Sequence, residues 1–165
     1  PSEKFEQTNI PTEFMWPYIY IASPVAILQY NMSIPVQYEL DKLIIGSMVP
    51  DIISKRTELY DEIQNMELLV SWLNVGTQYV TAYRYFGLLG MYIIFFSMSL
   101  FVFVYTIFLK GNKYFFAGYT VLILMVLFGI FSNMWVYSAL SLQFIYPFLL
   151  KKIEKITLRK KVMKV

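Results

Sequence analysis

The chain contains no cysteine and no histidine among its 165 residues. Without a thiol it cannot form a disulfide, bind zinc through thiolates or use a cysteine nucleophile. Without an imidazole it lacks the commonest metal ligand and the side chain that most readily exchanges protons near neutral pH. The sequence therefore predicts a protein that is not an enzyme, with no metal site and no cofactor except a structural phospholipid.

Charge is absent from two long stretches of the sequence. The first apolar run extends from Tyr85 to Leu109, and the second apolar run extends from Tyr114 to Leu150. About 20 apolar residues cross ~30 Å of hydrocarbon, and the four-residue link between the runs (KGNK, 110–113) is too short to cross back. The sequence thus predicts an all-α membrane protein whose core is a transmembrane helical hairpin, with spans over 77–110 and 113–150.

Neither apolar run contains an acidic or basic residue. Pumps and transporters usually keep a titratable group inside the membrane, because ion coupling requires one. The second run does carry a few polar residues, which leave open a small homo-oligomeric transporter or channel; they are Ser132, Asn133, Ser138 and Gln143.

Proline is concentrated before the runs, with six of the seven prolines in residues 1–50. Proline interrupts helices because it lacks an N–H and clashes with the preceding turn. We therefore expect residues 1–50 to form a proline-rich arm, extended at first, with one short helix between Ser33 and Gly46. Residues 14–38 are uncharged, so entry of this segment into the membrane is the alternative.

Residues 51–76 have the spacing of an amphipathic helix. Apolar residues recur every three or four positions, with Arg56 interrupting the register. We interpret the stripe as a seam that docks on another helix, in this chain or in a partner. Its members are Ile52, Arg56, Leu59, Ile63, Met66, Val70 and Leu73.

Small residues recur on single faces of both predicted spans. Small side chains allow helices to approach closely within a membrane. We expect helix packing at Gly87, Gly90, Gly118, Gly129 and Ser132.

Charge is distributed unevenly along the chain. Residues 1–84 carry ten acidic and five basic residues, whereas the tail, 151–165, carries seven basic residues and one acidic residue. A basic cluster beside a span attracts anionic phospholipids, and nucleic acid is a poor alternative at a membrane surface. The excess of positive charge in the tail predicts that both termini lie on the matrix or cytoplasmic side, opposite the link. The headgroup ligands would be Lys151, Lys152, Lys155, Arg159, Lys160 and Lys161.

These observations favour a non-catalytic accessory subunit of a large hetero-oligomeric membrane complex. Lysine far outnumbers arginine, and isoleucine, phenylalanine and tyrosine are abundant, as in proteins from A+T-rich genomes. With the polar start of the sequence, which has no secretory signal pattern, this makes the mitochondrial inner membrane, in a respiratory-chain or ATP synthase complex, our first expectation. A lipid-binding, membrane-shaping protein is a further alternative.

Overall fold

A computed structural model describes residues 11–60 and 76–162. Within those residues the fold is helical and contains no strand. The elements, in chain order, are α1 (Thr12–Asn31), α2 (Leu40–Ser47), α3 (Asp51–Ser54), α4 (Val80–Leu109), α5 (Phe115–Phe128), α6 (Ser138–Ser141), a 3₁₀ turn (Leu142–Ile145) and α7 (Tyr146–Val162).

Helix α1 replaces the extended arm predicted for this part of the chain. It is 20 residues long and contains both Pro17 and Pro24. Each proline removes one backbone hydrogen bond, at a cost of about 3 kcal/mol in a helix interior. Tertiary packing offsets that cost, because one face of the helix is buried at four-residue intervals. The buried residues of that face are Ile19, Ser23, Ile27 and Asn31.

The amphipathic helix predicted over 51–76 does not begin as one continuous helix. Helix α3 ends after four residues, and residues 55–58 form turns. Hydroxyl groups compete here with helical hydrogen bonding: the Thr57 hydroxyl donates to the Ser54 carbonyl at 2.6 Å. The rest of the predicted helix, residues 61–75, lies outside the described residues.

Helix α4 contains the first apolar run and bends sharply at Gly87. This residue has φ 60° and ψ −150°, a conformation that only glycine adopts readily. Residues 80–86 and 88–109 are therefore two helices joined at a corner. The carbonyls of Arg84 and Tyr85, at the end of the first helix, accept hydrogen bonds of 3.0 Å from the N–H groups of Gln37 and Glu39. These bonds satisfy groups that a helix end would otherwise leave without a partner.

The second apolar run does not form the single span that the sequence predicted. Helix α5 is 14 residues long, or ~21 Å at 1.5 Å per residue. The chain then leaves helical geometry over 129–137 and returns through α6 and the 3₁₀ turn. At the end of this return, the Asn112 side-chain amide donates to the Pro147 carbonyl at 3.1 Å. The run thus begins and ends beside the link.

Two buried clusters hold the helices together. One joins α4 to α5 and to the returning segment, and the other joins α2 to both parts of α4. The first consists of Tyr105, Leu109, Val121, Leu122, Met125 and Phe144. The second consists of Leu43, Ala82, Tyr85 and Ile94.

By length and composition, one described helix is able to cross a membrane: α4, Val80–Leu109. Beyond the corner, residues 88–109 extend for ~33 Å, which matches the hydrocarbon thickness of a bilayer. Only 17% of the most apolar 18-residue window is buried inside the protein. That low fraction distinguishes α4 from the core helix of a water-soluble fold, which would be mostly covered by its own chain.

Candidate interaction surfaces

A polar cluster fastens the region around α3 to the returning part of the second run. The Ser138 N–H donates to Asp51 Oδ1 at 2.8 Å, and the Ser138 hydroxyl accepts from the Ile52 N–H at 2.9 Å. The Asn133 amide donates to the Ser47 carbonyl at 3.0 Å. The two partners of each bond are more than 80 positions apart in sequence. The cluster therefore holds residues 133–138 of the second run against the region around α3.

Asp51 is the acidic residue of this cluster, and its pKa is shifted. Hydrogen bonds from Lys55 and then from Ser138 lower its pKa from 3.8 to about 2. The Lys55 ammonium lies 2.8 Å from Asp51 Oδ2, and the same contact raises the pKa of Lys55. Asp51 is therefore an ionised carboxylate at any physiological pH, bound within the fold.

A second junction joins the link to the start of α7. Lys113 forms an ion pair with Glu154, and this contact raises the pKa of Lys113. The Tyr114 hydroxyl donates to the other Glu154 oxygen at 3.4 Å. Together with the bond from Asn112 to Pro147, these contacts place the first turns of α7 against the link. The sequence predicted that the link and the C-terminal tail lie on opposite sides of the membrane. The contacts between the link and α7 differ from that prediction.

Aromatic rings fill the space between α4 and the returning segment. The Tyr105 and Phe144 rings meet edge to face, with 4.7 Å between centroids, and the Tyr105 hydroxyl donates to the Phe144 carbonyl at 3.0 Å. The Phe101 ring contacts both Phe144 and Trp135, with centroid distances of 5.0 Å and 5.1 Å. Such pairs add about 0.5–1.5 kcal/mol each beyond the area they bury, so this cluster stabilises the returned conformation.

Four of the five predicted packing residues are buried. A Cβ placed on Gly118 would lie 2.7 Å from a Leu109 methyl group and 2.8 Å from the Tyr105 hydroxyl. A Cβ on Gly90 would collide with the Ala82 carbonyl across the corner, and one on Gly129 would lie 2.7 Å from the Gln78 side-chain oxygen. Gly87 is also buried and forms the corner itself, whereas Ser132 is exposed.

The predicted docking seam is described only at its start. Ile52 and Arg56 are exposed, and Leu59 packs against the cluster around Leu43. These three residues do not share one helix, because α3 ends at Ser54. The remaining members, Ile63, Met66, Val70 and Leu73, lie outside the described residues.

The basic residues predicted to bind lipid lie on α7. Lys151, Lys152 and Lys155 are exposed. The backbone at Arg159, Lys160 and Lys161 is helical, but their side chains lie outside the description.

Helix α1 presents an apolar stripe that sequence reasoning missed. Phe14, Tyr18, Ile21 and Val25 are between 55% and 67% exposed. Their spacing of four, three and four residues places them on one side of the helix, opposite the buried face. The same spacing is visible in the sequence, but Pro17 and Pro24 argued against a helix, so the stripe was not identified.

Two shallow apolar grooves lie beside Met98 and Trp135, which line both of them. One is bounded by α4, Ser47 and Met48 and has a volume of about 140 Å³. The other, between the second part of α4, Val126 and the residues Gln78 and Tyr79 that precede α4, has a volume of about 330 Å³. In the part of the chain that the structure describes, no group of three or more acidic residues could hold a metal ion.

Comparisons with known proteins identify no relative: no family model, no curated protein and no solved structure matches this chain.

Proposed function

We propose that this protein is a non-catalytic structural subunit of a membrane protein complex, anchored by residues 88–109. The observation that carries the proposal is the exposed α1 stripe. Helix α1 is not apolar enough to qualify as a membrane span. Two of the four side chains in the stripe are aromatic and none is charged. Such a face is well suited to pack on a helix of another protein.

The exposed surface of α4 supports the membrane part of this proposal. Leu88, Phe96, Leu100, Phe103 and Phe108 are each at least 57% exposed, along the whole length of the helix. At about 25 cal/mol per Å² of apolar surface, such a face has a strong preference for lipid or protein over water. An apolar face that extends along a whole helix of this length is rare on soluble monomers.

The polar residues of the second run favour the structural function over a transporter. Asn133 and Ser138 bind the backbone around Ser47 and Ile52, and the Gln143 amide donates to the Ala139 carbonyl at 2.8 Å. A pore lining would need these groups to face water or a permeating ion. The hydrogen bonds of Asn133 and Ser138 within the fold support a structural role, in which they hold the second run in the conformation that turns back toward the link.

The proposed compartment rests on amino-acid usage and not on the fold. Usage typical of A+T-rich genomes makes the mitochondrial inner membrane, with its respiratory and ATP synthase complexes, the first place to look for such a complex. We propose it as the starting point for fractionation.

The test is purification of the tagged full chain from its native membrane in a mild detergent, with the mass of the native complex as the readout. We expect a particle much larger than 19.5 kDa that contains several different chains. The triple variant Phe14→Gln, Ile21→Gln, Val25→Gln should release the protein from that particle. A control, Ser33→Ala with Gln37→Ala, changes exposed polar residues beyond the end of α1 and should remain bound.

A particle composed of copies of this chain alone would contradict the proposal and favour a homo-oligomeric channel. A monomer bound only to lipid would contradict it as well.

A further inference from the structure

The start of α7 has two exposed faces of different chemistry. Side chains 41% to 58% exposed form an apolar face: Tyr146, Leu149, Leu150, Ile153 and Ile156. At 3.6 residues per turn these five side chains fall within an arc of about 120°.

The basic face of α7 lies on another side of the helix. Lys151, Lys152 and Lys155 fall within an arc of about 100°, centred roughly 150° from the apolar face. Glu154, the one acidic residue of α7, is turned toward the link by its ion pair with Lys113. The two faces are therefore apolar and positive, and the charge of Glu154, in the gap between them, is paired with Lys113. This is the pattern of a helix that lies in the membrane interface.

The link adds charge at the same end of the molecule. Lys110 and Lys113 are exposed, and the hydrogen bond from Asn112 to Pro147 holds the link beside the start of α7. Between residues 110 and 157 the ionisable groups have a net charge of +4 at neutral pH. We call this region, residues 110–114 with 146–157, the lysine end.

We propose that the lysine end is a binding site for the headgroups of anionic phospholipids. The apolar face of α7 enters the boundary between headgroups and acyl chains, and Lys151, Lys152 and Lys155 bind the phosphates above it. The inference rests on the proposed membrane span of α4, because the end of that helix at Leu109 delivers the link to the interface. It also places the link and α7 on one side of the membrane, and their positive charge makes that the matrix or cytoplasmic side.

The experiment uses the full chain in detergent micelles, with Thr157→Cys as its sole cysteine and an environment-sensitive dye attached there. Thr157 is exposed on α7, one turn beyond Ile153. The sample is titrated with a short-chain phosphatidylglycerol and, separately, with the phosphatidylcholine of the same chain length. We expect saturable binding of phosphatidylglycerol and much weaker binding of phosphatidylcholine.

The triple variant Lys151→Gln, Lys152→Gln, Lys155→Gln should weaken phosphatidylglycerol binding roughly 100-fold, from the free energy expected for three lysines near an anionic surface. A control with the same change in net charge at the other end of the molecule, Gln29→Glu, Ser33→Glu, Gln37→Glu, should bind like the parent. Equal affinity for the two lipids, or an unchanged affinity in the lysine variant, would overturn the proposal.

A separate measurement distinguishes this failure from failure of the membrane span. Incorporation of the parent chain into neutral phosphatidylcholine vesicles, resistant to extraction at high pH, requires α4 but not the lysine end. If the chain is extracted, the proposed span is wrong. If it stays in the vesicles but does not prefer phosphatidylglycerol, only the lipid site is wrong.

Discussion

The two apolar runs have similar composition but different structures. From Leu88 to Leu109 the first run is one uninterrupted helix. The second run is longer, yet it forms a 14-residue helix, a non-helical stretch and a return to its starting end. Hydropathy measures how much apolar surface a segment has, but it does not determine the direction in which the segment travels.

Local chemistry explains the difference between the two runs. The first run has no proline, and its polar residues are serines and a threonine, which helices tolerate. The second run contains Asn133, whose side-chain oxygen accepts a hydrogen bond of 3.2 Å from the Trp135 N–H, and Gly129 at the end of α5. An asparagine that bonds its own backbone two residues later favours a turn over a helix.

The largest effect is expected from Gly118→Leu, which pushes the second run away from the first. The new side chain would meet Leu109 and Tyr105, and overpacking of this kind costs about 1–3 kcal/mol. Thermal unfolding in mild detergent should show a clear decrease in Tm. The control is Ala117→Leu at the exposed neighbouring position. Equal Tm values for the two variants would mean that α5 does not pack on α4.

A smaller loss is expected from Asn112→Leu, which removes the bond that holds the returning chain beside the link. The Pro147 carbonyl would lose its donor, and an unsatisfied buried polar group costs about 1–3 kcal/mol. Gln143→Leu is a matched control, since its amide bonds only within its own turn. Thermal unfolding should therefore show the Asn112→Leu variant to be less stable than the Gln143→Leu variant by about 1–2 kcal/mol. A more stable Asn112→Leu variant would show that the junction is absent.

Asp51 should make the polar cluster sensitive to acid. Its pKa is lower in the folded protein, about 2, than its ordinary value of 3.8. The carboxylate thus contributes stability above about pH 4, and that contribution disappears as the pH falls toward 2, with an upper limit of about 2 kcal/mol. The Tm difference between the parent and Asp51→Asn should therefore be largest at neutral pH. A difference that stays constant from pH 6 to pH 2 would show that Asp51 does not titrate in this way.

The smallest effect is expected from Arg56→Leu. The sequence placed Arg56 in an apolar seam, where it would either extend to solvent or meet a carboxylate. In the structure Arg56 is exposed. Replacement of a surface residue typically changes stability by less than about 0.5 kcal/mol. A Tm shift comparable to that of Gly118→Leu would mean that Arg56 makes a buried contact.

The sequence was sufficient to predict the helical class, the long apolar helix and its end at Lys110. Of the glycines that spacing marked for helix packing, Gly118 lies against Leu109 and Tyr105 of α4, whereas the nearest neighbours of Gly90, Ala82 and Phe86, belong to α4 itself. Helix α1 could not be predicted, because its two prolines argue against a helix, and the packing that compensates for them involves residues distant in sequence. The return of the second run was also hidden, because its determinants are contacts such as that between Ser138 and Asp51.

The return of the second run is tested most directly by the sides of the membrane on which the link and α7 lie. Because the chain contains no cysteine, single cysteines can be placed at Lys110, Thr157 and Gln37 and labelled with an impermeant maleimide in sealed proteoliposomes. Gln37 lies beyond the other end of residues 88–109, beside Arg84. If the second run returns to the link, the fraction labelled from outside will be the same at positions 110 and 157, and position 37 will show the complementary fraction. Complementary labelling of 110 and 157 would contradict the returned second run and restore a hairpin of two full spans.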